Sequence, residues 1–423
     1  MSNSILAPKT FLTYSLGCRT NQAEMEDIGL QLTANGLRQT LREPDLVLLN
    51  TCVVTAKAEK ESRQKIRALR KKHPKSFLVV LGCGVTAREI FNINLPEANL
   101  FVSNENKDQT INILNKHLRA RLIAPLQSKT CLNNKYIQSG RKFIKIQDGC
   151  DKYCSYCLTR YLRGIPKSIP PEKIIKEINF WVKNGIKEVI LTGINIGLYP
   201  DLTGLLNKIL KETKIERISF SSIYPEMLTE DFVKLVINNP RISQYFHLSL
   251  QSGSQNVLQR MNRETDLSRL LSIIKQIKAE NQLFTFRADI IVGFPNESEE
   301  EFRETLDFIK KAKISFAHIF TYSARKGTVA YSLSDLPSQI KKERIKRIVE
   351  AVKAIRQKEA EKIIEQTTNC LIVRGNEGMT ENGWPIQVRV RDRARVKGKI
   401  LPVKITDFKN DQLFGEIISL PTN

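Results

Sequence analysis

The sequence predicts a multidomain α/β protein: an N-terminal parallel α/β domain, a central partial (βα)6 barrel and a small C-terminal antiparallel OB-like β-barrel. Three observations predict it. Short apolar, β-favouring runs alternate with helix-like stretches near the start of the chain, the same rhythm restarts at Lys142 for six more strands, and the residues after 366 read as short strands with no helices between them. A chain of 423 residues is long enough for two or three such cores.

In the N-terminal part the strand-like runs are Phe11–Leu16, Leu46–Leu49 and Phe77–Leu81, separated by helical stretches such as Glu24–Ala34 and Thr55–Lys72. Residues 106–140 turn polar and Lys/Asn-rich with weak periodicity, which reads as a linker. The barrel strands are expected at Phe143–Gln147, Glu188–Thr192, Arg217–Ser221, Tyr245–Leu250, Thr285–Val292 and Ala317–Phe320. Helices are expected between them at Pro171–Asn184, Asp201–Thr213, Leu267–Asn281 and Ser298–Ala312. A long charged helix spans 337–366, and the tail strands are Asn369–Arg374, Ile386–Arg391, Ile400–Thr406 and Leu413–Ile418. The expected domain bounds are 8–120, 136–365 and 366–422.

Composition narrows the function classes. Apolar residues make up 41% of the chain, and no apolar run approaches the length of a membrane span. The start of the chain lacks the charged and apolar regions of a secretory signal, so a cytoplasmic, reducing setting is expected. Lys and Arg number 67 against 44 Asp and Glu, a formal charge of +23. That excess implies a polyanionic partner, nucleic acid before lipid, although scattered solubilising lysines would give the same sum. Eight cysteines in a reducing compartment point to metal or redox chemistry rather than disulfides.

The tightest cysteine group is Cys150-Asp-Lys-Tyr-Cys154-Ser-Tyr-Cys157, just after the first barrel strand. Three thiolates spaced by three and two residues wrap one face of a cubane cluster and leave one iron open, since ordinary 4Fe–4S sites use four cysteines. The competing reading is zinc, which in closed form also needs four ligands, often with a histidine; none of the chain's 4 histidines is near. The second group is dispersed. Cys18, Cys52 and Cys83 each follow one of the three N-terminal strands, in Ser15-Leu-Gly-Cys18, Leu49-Asn-Thr-Cys52 and Leu81-Gly-Cys83. In a parallel sheet those strand ends share one edge, so the three converge on a second cluster site. The plainer alternative is three small buried hydrophobes.

The central loop resembles that of the radical S-adenosylmethionine superfamily, in which the open iron chelates the amino and carboxylate groups of S-adenosylmethionine. By that resemblance Thr192-Gly193-Ile-Asn195 would meet the methionine moiety, and Asp289-Ile-Ile291-Val-Gly293-Phe294-Pro295 would approach the adenine. With Cys18-Arg-Thr-Asn21-Gln-Ala-Glu24, Asn50-Thr-Cys52, Gly82-Cys83, His247-Leu-Ser-Leu-Gln251-Ser-Gly-Ser, Arg260-Met-Asn-Arg263 and a TRAM-like tail, nearly the whole chain is similar to the methylthiotransferases. The resemblance implies metal ligands Cys18, Cys52, Cys83, Cys150, Cys154 and Cys157, and cofactor contacts at Thr192, Gly193, Asn195, Gln251, Ile291, Gly293 and Phe294. It implies two 4Fe–4S clusters and S-adenosylmethionine as cofactors, tRNA (the anticodon stem-loop) as partner, and an electron donor such as flavodoxin or ferredoxin.

Gln147-Asp-Gly-Cys150, Leu191–Tyr199 and His318–Thr328 are more similar to the branch acting on N6-threonylcarbamoyladenosine 37 than to the isopentenyladenosine branch. Arg160, Asn296, Ser298 and Thr321 depart from the usual family residues without removing a cluster ligand. A non-catalytic iron–sulfur RNA-binding or redox-sensing protein is the reading from another class. For RNA contact, the alternating charges Arg389, Arg391, Arg393, Arg395, Lys397 and Lys399 and the basic helix from Thr55 are the candidates, with Trp384 as a stacking surface; a solvated strand face is the alternative.

Overall fold

The structure, a computed structural model, describes residues 8–118, 139–390 and 393–418. The N-terminal sheet holds five parallel strands: β1 (Thr10–Ser15), β2 (Arg38–Gln39), β3 (Leu46–Thr51), β4 (Phe77–Gly82) and β5 (Leu100–Val102), in the order β2-β1-β3-β4-β5. All six residues of β3, Leu-Val-Leu-Leu-Asn-Thr, are buried, as expected for a central parallel strand covered on both faces. Leu46 and Leu48 enter one core with Val79 and Leu81; Val47 and Leu49 enter another with Leu78 and Val80. The sheet has two strands more than expected, because β2 and β5 are too short to show a period.

Four helices flank it: α1 (Arg19–Ala34), α2 (Ala56–Lys72), α3 (Cys83–Phe91) and α4 (Thr110–Leu118). Helix α1 begins five residues before the expected start, directly after Cys18, whose extended backbone caps it. Helix α4 lies within the expected linker, with Leu114 and Leu118 buried in the sheet's core; residues 119–138, with Cys131, lie outside the described residues.

Six parallel strands form the central barrel: β6 (Arg141–Lys145), β7 (Glu188–Thr192), β8 (Arg217–Phe220), β9 (Tyr245–Gln251), β10 (Thr285–Val292) and β11 (Ile314–Thr321). They make two sheets, β8-β7-β6 and β9-β10-β11, joined by the bridges Ile218↔Ile242 and Ile223↔Leu248. The circle is left open between β6 and β11. Helix α1 packs along β6, where Lys142 Nζ meets Glu26 at 2.9 Å and Asp27 at 3.2 Å.

After the helix Ser338–Glu361 come β12 (Thr367–Arg374), β13 (Glu377–Thr380), β14 (Pro385–Arg389), β15 (Ile400–Lys409) and β16 (Gln412–Ile417), a closed barrel in the order β12-β13-β14-β16-β15. Strand β13, Glu-Gly-Met-Thr, carries no apolar alternation and escapes sequence reading. Trp384 is not a stacking surface. It is 2% exposed, packs on Phe316 and Phe408, and donates its indole N–H to Thr285 Oγ1 at 2.9 Å. The indole belongs to the core of the C-terminal barrel and ties it to β10. Arg217 donates to the carbonyls of Met379 and Asn369 at 3.0 and 2.9 Å, a second tie between barrels. Among the described residues no helix is long and apolar enough to cross a membrane.

Candidate metal centres

Cys18, Cys52 and Cys83 stand at the carboxyl ends of β1, β3 and β4, which the sheet order places side by side. Cys83 opens α3, and Cys52 donates its N–H to Ser62 Oγ at 3.1 Å, fixing the turn before α2. Gly17 has φ +87°, and a Cβ there would lie 2.5 Å from Cys52 Cβ and 2.6 Å from its sulfur. Only glycine lets β1 deliver Cys18 this close to Cys52. Cys52 and Cys83 are buried; Cys18 is exposed, yet enough protein surrounds its thiol that desolvation raises its pKa against the opposing pull of Arg163. Burial, with Cys83 adding to it, pushes the Cys52 thiol up to about 12.

The central trio is made locally. Cys150 N–H donates to the Gly164 carbonyl and Cys157 N–H to that of Cys154, both at 3.0 Å. Gly149, at φ +73°, lies so close to Ile165 that a Cβ would be 2.1 Å from its carbonyl oxygen. Gln147 Nε2 donates to the Asp148 and Gly149 carbonyls at 2.7 and 2.8 Å, while its Oε1 accepts the Asn195 N–H at 2.9 Å. One side chain thus ties the cysteine loop to the end of β7. Burial raises all three thiols; the Asn195 side chain works against this at Cys150, Arg263 and Tyr156 at Cys154, and Thr159 at Cys157.

The trios are neighbours. Leu158, next to Cys157, and Leu162 pack with Cys83 in one apolar cluster. Asn104 Nδ2 donates both to Cys83 Sγ at 3.4 Å and to the Leu162 carbonyl at 2.8 Å. Arg163, its side chain buried at the end of the short helix Thr159–Arg163, contacts Glu24 at 2.8 Å and Asp148 at 2.9 Å, and also donates to Asn21 Oδ1. Lys107 and Lys145 meet Glu24 at 2.8 and 3.2 Å. Burial works against the Glu24 charge, but Arg163, Lys107 and Lys145 outweigh it and hold this carboxyl well below the usual range. Neither Glu24 nor Arg163 was assigned a site role from sequence; Arg163 carries no local signal at all.

The donor sets fit iron–sulfur clusters. Among the described residues the group of His, Cys and carboxylate ligand atoms within 4.8 Å of one another is His247, Asp289 and His318, so neither cysteine trio is that tight. Three sulfurs on one tetrahedral zinc would stand roughly 4 Å apart. A cubane places its ligands on different irons and spreads them farther. Of the expected cofactor contacts, Thr192 is buried with its hydroxyl unpartnered, and Ser221 on the next strand end is the same. Gly193 lies against Gln147, Gln251 takes φ +73°, Ile291 is buried, and Gly293 at φ +72° donates its N–H to Glu297. Phe294 is fully buried between the rings of Tyr156 and Tyr322. Cys370 lies in the core of the C-terminal barrel, its thiol pushed up to about 12 by burial.

Comparison with known proteins follows the same division. The radical SAM superfamily matches residues 144–309, and "uncharacterized protein family UPF0004" matches residues 10–102. The chain is 38% identical over 377 residues to threonylcarbamoyladenosine tRNA methylthiotransferase MtaB of Chlamydia pneumoniae, covering 86% of each chain. It is 31% identical over 439 residues to a tRNA-2-methylthio-N(6)-dimethylallyladenosine synthase of Petrotoga mobilis, covering 97% and 99%. The radical S-adenosylmethionine methyltransferase TsrM of Kitasatospora setae superposes with a TM-score of 0.56 at 13% identity, over 76% of this chain and 77% of that one, a likeness of fold alone.

Proposed function

This chain belongs to the methylthiotransferases of the radical S-adenosylmethionine superfamily, and on that premise we propose that it adds a methylthio group to C2 of N6-threonylcarbamoyladenosine at position 37 of tRNA. In our reading Cys150, Cys154 and Cys157 hold one 4Fe–4S cluster and Cys18, Cys52 and Cys83 a second. When bound, the clusters and S-adenosylmethionine supply one-electron chemistry, suited to a C–H bond whose proton no general base removes. The protein's own part is positional. Gln147 and Asn195 fix the central loop against β7, Gly17 brings Cys18 to Cys52, and Asn104, Leu158 and Arg163 hold the two trios beside each other. Thr192, Gly193, Asn195, Gln251, Ile291, Gly293 and Phe294 are the proposed S-adenosylmethionine contacts and supports. The working units are 8–120, 136–365 and 366–422.

The observation that carries this reading is the adjacency of two open three-cysteine sites across a domain boundary. A redox sensor needs one such site; transfer to an unactivated carbon needs one for hydrogen abstraction and one for sulfur. The partner is the tRNA anticodon stem-loop, with flavodoxin or ferredoxin supplying electrons in the cytoplasm. Helix α2 supports RNA contact: Lys60, Arg63, Gln64 and Arg67 line a cleft of about 450 Å³, three of them basic and on one helix face. In the tail Arg389 pairs with Glu416 at 2.8 Å and the chain turns into a short helix at Arg393–Val396, so the charges do not continue along one strand face; Arg391 lies outside the described residues.

The test is nucleoside mass spectrometry of tRNA from a strain lacking the gene. Loss of 2-methylthio-N6-threonylcarbamoyladenosine, with its unthiolated precursor accumulating, is expected. Loss of the isopentenyl counterpart instead would move the enzyme to the sister branch. Affinity for tRNA should fall steeply with salt, the logarithmic slope near −0.7 per single-strand phosphate neutralised.

A further inference from the structure

The interior of the open barrel is polar, and its charges are not evenly matched. Side chains alternate along β10, so Arg287 and Asp289 share its inner face with His247 of β9 and His318 of β11. Asp289 is fully committed. Its Oδ1 lies 2.8 Å from His247 Nε2 and 3.3 Å from His318 Nδ1, and its Oδ2 accepts from Ser222 at 3.1 Å.

Arg287 has no such partner. Its guanidinium lies between the rings of Phe316 and Tyr245, 4.4 and 5.3 Å from their centroids, which fixes its plane. Nε and Nη2 are both shut off from solvent and without an acceptor among the described residues. Burial lowers its pKa to about 10; the Tyr245 phenol opposes this, while Arg19, Arg141 and Arg356 lower it further. Arg141 is already neutralised by Glu188 at 2.7 Å, and Arg356 by Asp411.

The identity of the two orphan nitrogens matters. Nε–H and Nη2–H point from the same edge of the guanidinium, the edge that receives both oxygens of a carboxylate. The other arginines in this position, Arg163, Arg260, Arg263, Arg325 and Arg344, each have a single buried nitrogen without a partner. Leaving a whole fork unpaired inside a protein costs stability unless a ligand completes it.

We propose that Arg287 is the receptor for a carboxylate on the substrate base. The inference rests on the substrate reading above and sharpens it: a threonylcarbamoyl group carries a free carboxylate, and an isopentenyl group carries none. Arg287 lies four residues below Ile291 on the same strand, about 13 Å at strand rise, with its guanidinium held between Phe316 and Tyr245 toward the lower end of the barrel. His318 and Phe320 are exposed at the open edge beside β11. Arg287 is thus a specificity-determining residue, contributing to binding in ground and transition states alike.

The experiment measures binding of anticodon stem-loops to the reconstituted holoenzyme by fluorescence anisotropy, with threonylcarbamoyladenosine, isopentenyladenosine or plain adenosine at position 37. The wild type should prefer the threonylcarbamoyl loop over the plain one by roughly tenfold to a hundredfold, the range of a charge-assisted pair. Arg287→Met should erase that preference while leaving the plain-loop affinity unchanged, and Arg287→Lys should keep part of it. In turnover, Arg287→Met should raise KM with kcat preserved. Thermal melting guards against misfolding, and Arg287→Met should melt no lower than wild type. A retained threonylcarbamoyl preference in Arg287→Met overturns the proposal with the substrate reading intact. Equal weakening of all three loops also overturns it, by marking Arg287 as a phosphate contact. A wild type that prefers the isopentenyl loop instead contradicts the substrate reading itself.

Discussion

The two cysteine trios reach similar ends by opposite means. Cys150, Cys154 and Cys157 occupy one loop, shaped by the near neighbours Gln147, Gly149, Gly164 and Thr159 and pinned from outside by Asn195 and by residues 260–262. Cys18, Cys52 and Cys83 are spread over three strand ends, so their convergence depends on the parallel sheet and on close backbone approach at Gly17. A loop-built site keeps its three thiols together through local backbone geometry. A sheet-built site inherits every weakness of the sheet and of the domain contact beneath it, where Glu24 and Arg163 meet.

Gly17→Val should break that comparison open with the largest effect. The residue has φ +87° and no room for a Cβ beside Cys52. Iron analysis after anaerobic reconstitution should fall from about eight irons to about four per chain. Equal loss from both centres would mean the trios are not independently assembled. Next comes Glu24→Gln, which leaves buried Lys107 without its carboxylate and Lys145 and Arg163 with the Asp148 carboxylate alone. Denaturant unfolding should show a loss of about 3–5 kcal/mol.

The smallest effect concerns pH at the same domain contact. Burial, reinforced by Asp27, raises the Glu177 carboxyl to about 7 against the attraction of Lys142. The folded chain then holds a proton that the unfolded chain has released, so this group's contribution falls as pH rises from about 4.5 to about 7. Glu177→Gln should leave stability unchanged at pH 4 and raise it at pH 8 by at most about 3 kcal/mol. Stabilisation at pH 4 would show that the side chain acts through packing instead.

Much of this was legible in the sequence because it is written in local pattern. The strands Glu188–Thr192 and Thr285–Val292 follow from apolar runs between turns, and the cysteines from their spacing and from their place after strands. What stayed hidden depends on partners far along the chain. Arg163 acquires meaning only when Glu24, 139 residues away, folds against it. Trp384 in a basic stretch reads as a stacking surface, and only barrel closure shows that its indole is needed inside. Arg287 looks like any strand arginine until its neighbours are seen to offer no acceptor.

The separate duties of the two trios are tested most directly by incubating Cys154→Ala and Cys52→Ala enzymes anaerobically with reductant, S-adenosylmethionine and tRNA, then measuring 5′-deoxyadenosine and methylthiolated nucleoside together. Cys154→Ala should yield neither product; Cys52→Ala should still yield much of the 5′-deoxyadenosine but no methylthiolated nucleoside. Equal loss of both products in both variants would contradict the division of labour between loop and sheet.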